Sequence, residues 1–177
     1  AWTAKDSVTS AFHRIFTIPT PNYSAPWNCC DAVSRLGSGG FSAQAIGMSD
    51  RAIAGIKELL VTKTLPALGP TTRPDALSAE QLRAKLDALF AESDFAPQNQ
   101  ELIRALLLLW HDHLDASHQI SQGIENADGS FIHAIMHRRE PDYWNSKYWW
   151  RRVGKHAAFP ELAQRTEQLL QSRNATR

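Results

Sequence analysis

From about Ser49 onward, apolar residues recur at spacings of three and four, the period of helices that each turn one face to a core. Ile53, Ile56, Leu59 and Leu60 form the first stripe, and Pro66 ends it. The run Leu65 to Leu77 carries Pro66, Pro70 and Pro74 and reads as a linker. Ser78 with Gln81 is a capping-box pattern, followed by the stripe Leu82, Leu86, Leu89 and Phe90 to about Glu92. Pro97 suits the first turn of the next helix. That helix is apolar nearly all round from Leu102 to Trp110, as a central buried helix is. The pattern predicts it unbroken from Gln98 to Gln122, with Gly123 as its stop.

Asn126, Asp128 and Gly129 then predict a turn, and Ser130 a cap for a helix through Glu140. Pro141 interrupts, Asp142 caps a short helix through Val153, and Pro160 opens a last one bearing Leu162, Leu169 and Leu170. No segment alternates with the period of a strand. The expected class is all-α: a single domain, 1–177, with a bundle of about five to six helices over 48–177. Residues 1–47 read as an irregular wrap, punctuated by Pro19, Pro21, Pro26, Gly37, Gly39 and Gly40 yet rich enough in apolar side chains to cover a helical core.

Composition narrows the partners. The formal net charge of +1 supplies no global field to draw in nucleic acid. No apolar run approaches the ~20 residues a membrane span needs. Cys29 and Cys30 are adjacent, where a mutual disulfide would be strained, so they read as reduced thiols. With no secretory signal visible, although the chain opens on Ala1, the expected location is the cytoplasm.

The candidate chemistry is concentrated in histidine. Five of the seven histidines lie between His111 and His137. His111, Asp115 and His118 are spaced i, i+4, i+7, and so are His133, His137 and Glu140, so each set projects from one side of its helix. The short turn between the two helices makes them neighbours. The expectation is that His111, His118, His133 and His137 face a common space with Asp115 or Glu140 in reach. Three readings stay open. These histidines are ligands for a divalent metal such as zinc. Alternatively, with Asp115, they form a metal-free acid/base centre. Or they belong to a satisfied polar network, with His113 and His156 on the surface. The His-Glu-x-x-His form of a zinc site is absent, because the chain reads His133-Ala-Ile-Met-His137.

Directly after His137 come Arg138, Arg139 and Glu140, and then five aromatic residues among the eight from Tyr143 to Trp150. Arg138, Glu140, Lys147, Trp149, Arg151 and Arg152 are candidates to bind a small anionic or polyhydroxylated ligand, through guanidinium forks and aromatic faces. The bland alternative makes the tryptophans core anchors and pairs the arginines with Glu140 and Asp142. Nucleic acid normally needs a broader basic patch.

The stretch Leu109 to Phe159 resembles a bacterial protein family with no established activity. The likeness rests on Trp110-His111-Asp112, Leu114-Asp115-Ala116-Ser117-His118, the run His133 to Asp142, Lys147-Tyr148-Trp149 and Arg151-Arg152-Val153-Gly154. It covers under a third of the chain. His133-x-x-x-His137-Arg138 is also similar to the DinB-like bundles, a resemblance that implies a metal-dependent enzyme with one histidine on one helix and a histidine pair on another. The combined expectation is a small soluble enzyme with a histidine–carboxylate centre. The alternatives are a non-catalytic ligand-binding protein using the same pocket, and a structural or interaction protein with a buried network.

Overall fold

The computed structural model describes residues 48–175; the expected N-terminal wrap and Cys29–Cys30 lie outside the described residues. Among those residues the chain is all-α, with seven helices and no strand. They are α1 (Met48–Leu59), α2 (Ala79–Ala91), α3 (Pro97–Trp110), α4 (Leu114–Ser121), α5 (Ala127–Arg139), α6 (Tyr143–Val153) and α7 (Ala158–Ala175).

The amphipathic stripes bury as their spacing predicts. Ile56, Leu60, Leu86 and Phe90 pack on Ile103 and Leu107, joining α1 and α2 to one side of α3. Leu102, Ala105, Leu106 and Leu109 pack on Leu114, Ile132 and Met136, joining α4 and α5 to the other side. Helix α3 is therefore apolar all round because it has partners all round. The capping box at Ser78 and Gln81 is present. Leu162, Leu169 and Leu170 of α7 are exposed.

The structure corrects the sequence reading at the centre. The expected Gln98–Gln122 helix is two helices, α3 and α4, which break at His111–His113 and so raise the helix count. Asp112 has φ 68°, in the left-handed region that a short polar side chain reaches more readily than most. Its carboxylate supplies the reason. Oδ2 accepts from the Arg73 backbone N–H at 3.0 Å and from Arg73 Nε at 2.7 Å, and Oδ1 accepts from Arg139 Nη2 at 2.6 Å. A buried carboxylate held by two guanidinium groups repays one unfavourable backbone conformation and redirects the chain.

A second correction is the start of α5. Asn126, not Ser130, is its cap, accepting from the Gly129 N–H at 2.8 Å, while Ser130 is buried. A Cβ on Gly129 would lie 2.3 Å from the Ile124 carbonyl oxygen, so only glycine fits where the α4–α5 turn presses on the first turn of α5. Two serines hold neighbouring helices close. Ser117 Oγ on α4 donates to the Ala105 carbonyl on α3, and Ser146 Oγ on α6 donates to the Ala134 carbonyl on α5, each at 2.8 Å. These two contacts fix the helices that carry the histidines and Trp149.

Candidate metal centre

Three of the four expected histidines converge. His118 on α4 and His133 and His137 on α5 each offer a ring nitrogen, and these atoms lie within 4.8 Å of one another. His133 and His137 are one helical turn apart on the same face, and their Nε2 atoms are 3.0 Å apart. His118 meets both rings edge-on, at centroid distances of 4.6 and 5.2 Å. His133 and His137 are buried, and His118 is half-buried, so the cluster reaches solvent on the α4 side.

The outer contacts set the tautomers. His137 Nδ1 donates to Glu140 Oε2 at 3.1 Å, which leaves Nε2 with a free lone pair in the neutral ring. His133 is covered by Trp149, whose indole is stacked at 3.8 Å between centroids and 18° between planes. Its Nδ1 is buried and meets no partner in hydrogen-bond geometry among the described residues. Burial is the main reason the His133 pKa falls to about 4, with the neighbouring imidazoles of His118 and His137 pushing the same way. The nearby Ser121 carbonyl opposes this and is outweighed.

His111 does not join the cluster. The helix break turns it toward the linker, where the Leu77 N–H donates to Nδ1 at 3.0 Å and Nε2 donates to the Leu59 carbonyl at 2.8 Å. Both ring nitrogens are occupied by backbone, so none is free for a metal or a proton transfer. Burial lowers its pKa. Asp115 is exposed and lies outside the group of converging ligand atoms, so the carboxylate at the cluster is Glu140. The i, i+4, i+7 relation of His111, Asp115 and His118 assumed a continuous helix, and the break at Asp112 dissolves it.

The other expected ligand-binding residues surround α6. Arg138, Lys147, Arg151 and Arg152 are exposed, and Trp149 is half-buried. Arg152 lies over Trp149 with its guanidinium carbon 5.2 Å from the ring centroid, and Arg138 lies over Tyr143 at 4.4 Å. None of these arginines takes Glu140 or Asp142 as a partner among the described residues. Glu140 faces His137, and Asp142 caps α6 by accepting from the Asn145 N–H at 3.2 Å.

Several residues that organise the site carried no legible signal. Arg73 and Arg139 are buried and share Asp112, and burial alone would raise that carboxyl's pKa, but the two guanidinium groups hold it below its ordinary value. Arg73 also reaches the carbonyls of Thr64 and Trp110, and Arg139 donates to the Leu109 carbonyl at 2.6 Å. His156, expected at the surface, is buried. It accepts from the Ala158 N–H at 3.1 Å and donates from Nε2 to Asp128 at 2.7 Å. His113, also expected at the surface, is half-buried and bonds the Leu77 carbonyl at 2.7 Å. Arg138, a candidate for the ligand rim, is exposed, whereas its neighbour Arg139, about 100° further round the helix, is buried.

Comparison with family models, with curated proteins and with solved structures finds no match for this chain.

Proposed function

We propose that His118, His133 and His137 form a divalent-metal centre, zinc being the best-suited ion, in a small enzyme acting on an anionic or polyhydroxylated substrate. One observation carries this reading: ring nitrogens of the three imidazoles, two of them buried and one half-buried, lie within 4.8 Å of one another. Two nitrogens bound tetrahedrally to one zinc at about 2.0–2.1 Å lie roughly 3.3 Å apart, close to the His133–His137 spacing of 3.0 Å.

The donor chemistry fits. His137 would bind through Nε2 while its Nδ1–H stays on the Glu140 carboxylate, the outer contact that orients a metal-bound imidazole and raises its basicity. His133 would bind through Nε2, which places its proton on Nδ1, with the Ser121 carbonyl as a backbone acceptor acting on that ring. Three protein ligands leave coordination positions open, as catalytic rather than structural zinc sites do. A metal bound there supplies Lewis-acid polarisation of an oxygen atom. The protein's own contribution is to hold three rings in register and to shield His133 beneath Trp149. One histidine on one helix and a pair on the next is also the layout that the DinB-like resemblance implies.

The metal-free acid/base reading uses the same His133–His137 contact but accounts for less. With His137 donating from Nδ1 to Glu140, His133 must donate from Nε2, and its buried Nδ1 becomes an acceptor with no donor. The test is metal content and zinc titration calorimetry. The wild-type protein should bind one zinc per chain, and His118→Ala and His137→Ala should each lose that site while remaining folded by circular dichroism. Stoichiometric binding that survives both substitutions would place the metal elsewhere, and no binding at all would end the metal reading.

A further inference from the structure

Two groups of arginines differ in their partners, with Arg51 and Arg83 of α1 and α2 in neither. Arg73, Arg104, Arg139 and Arg165 each meet a carboxylate. Arg138, Arg151 and Arg152 meet none among the described residues, although Glu140 and Asp142 cap the ends of the helices that carry them. Of the three, Arg152 is tied to the metal centre by contact. Its guanidinium lies over Trp149 at 5.2 Å, and the Trp149 ring is stacked on His133 at 3.8 Å. Its only hydrogen bond among the described residues is a long one, from Nη1 to the Tyr148 hydroxyl at 3.4 Å. A guanidinium presents five N–H donors in a fork that matches the oxygens of a carboxylate or phosphate. Stacking on an aromatic face fixes the plane of that fork without consuming its donors.

We infer that Arg152, set on the Trp149 indole that covers His133, is the anchor for an oxyanion group of the substrate, so that the substrate class is small anionic molecules bearing a carboxylate or phosphate rather than neutral polyols. This rests on the metal centre proposed above and narrows its substrate. Arg152 contacts the anion directly. Trp149 is a positioning residue, acting through the ring it shields and the guanidinium it carries. A polyol would gain little from an always-charged fork, whereas an oxyanion gains charge-assisted hydrogen bonds of roughly twice the strength of neutral ones.

The experiment measures zinc content first and anion binding second. Zinc-loaded wild-type protein is titrated calorimetrically with inorganic phosphate, with malonate and with xylitol, and so are Arg152→Gln, Arg152→Lys and, as a distant control, the exposed Arg51→Gln. The expected result is that at least one of phosphate and malonate binds and that xylitol does not. That affinity falls tenfold or more in Arg152→Gln, recovers partly in Arg152→Lys, and is unchanged in Arg51→Gln. Whichever of the two anions binds tells a phosphate substrate from a carboxylate one. Zinc bound at full stoichiometry with neither anion bound, or with equal anion affinity in Arg152→Gln, overturns this inference and leaves the metal centre standing. Wild-type protein that takes up no zinc overturns both.

Discussion

Two histidine-bearing regions lie a few residues apart in the chain and end in opposite states. At the α3–α4 corner, both nitrogens of His111 and both oxygens of Asp112 have partners, supplied by the end of α1, by the linker between α1 and α2 and by Arg139. Across α4 and α5, His118, His133 and His137 face chiefly one another, and a buried nitrogen of His133 is left over. Burial is similar in the two places, so burial does not distinguish a structural histidine from a ligand. What distinguishes them is the balance of donors and acceptors. Backbone groups and two guanidinium groups close the first region, whereas in the second, among the described residues, the imidazoles have chiefly one another and Glu140 as partners.

The largest expected effect tests the closed region. Asp112→Ala leaves the Arg73 and Arg139 guanidinium groups buried without their shared counter-charge. Breaking a buried pair in this way costs about 3–5 kcal/mol, a large share of the roughly 5–15 kcal/mol that holds an ordinary domain folded. Urea unfolding of the metal-free protein should show that loss. His118→Ala, measured alongside, should cost less than about 1 kcal/mol, because a half-buried ring with no side-chain hydrogen bond among the described residues is being removed. Equal costs for the two substitutions would erase the distinction between the regions.

How far the sequence could anticipate this depends on which physical rule governs each element. The stripes of Ile53–Leu60 and Leu82–Phe90 were legible because a single-sided helix needs only local spacing. The pairing of His133 with His137 and Glu140 was legible for the same reason, and His118 joined them because the α4–α5 turn is short. The break at Asp112 was not. It depends on Arg73, thirty-nine residues earlier, and on Arg139, twenty-seven later, and local periodicity carries no information about such partners. Because of that one residue His111 does not share a face with His118, since the shared face requires a helix that does not continue. Arg138 and Arg139 show the complementary case. The same residue type at adjacent positions goes to solvent and to the core, and only the tertiary partners of Arg139 decide which.

A smaller effect sharpens the open region from outside. Glu140→Gln keeps the shape of the side chain but removes the charge that orients His137 through Nδ1. Outer-shell substitutions of this kind typically weaken metal affinity 10–100-fold. Competition with a zinc chelator should register that change, while the thermal midpoint of the metal-free protein should barely move, since Glu140 is partly exposed and the interaction it loses is screened. A fall in metal-free stability with unchanged zinc affinity would reassign Glu140 to the fold.

The smallest effect separates the two regions by acid. Burial lowers the folded-state pKa of His111 and of His133, the latter to about 4, against about 6.5 for an unfolded histidine. Below the unfolded value, the unfolded chain binds protons that the folded chain refuses. The stabilising contribution of each ring is therefore complete above about pH 6.5 and is lost as pH falls toward its folded-state pKa. For His133 that window runs from about pH 6.5 down to about 4. Between pH 6 and 5 one such ring contributes a slope of about 1 kcal/mol per pH unit. In metal-free protein, His133→Gln should remove that share of the acid sensitivity and leave the share of His111, whose backbone partners are untouched. Urea midpoints compared at pH 6 and pH 5 measure the difference directly. An identical slope in wild-type protein and His133→Gln would mean that His133 gains its proton in the folded state as readily as in the unfolded one, and the cluster would then be no drier than the surface.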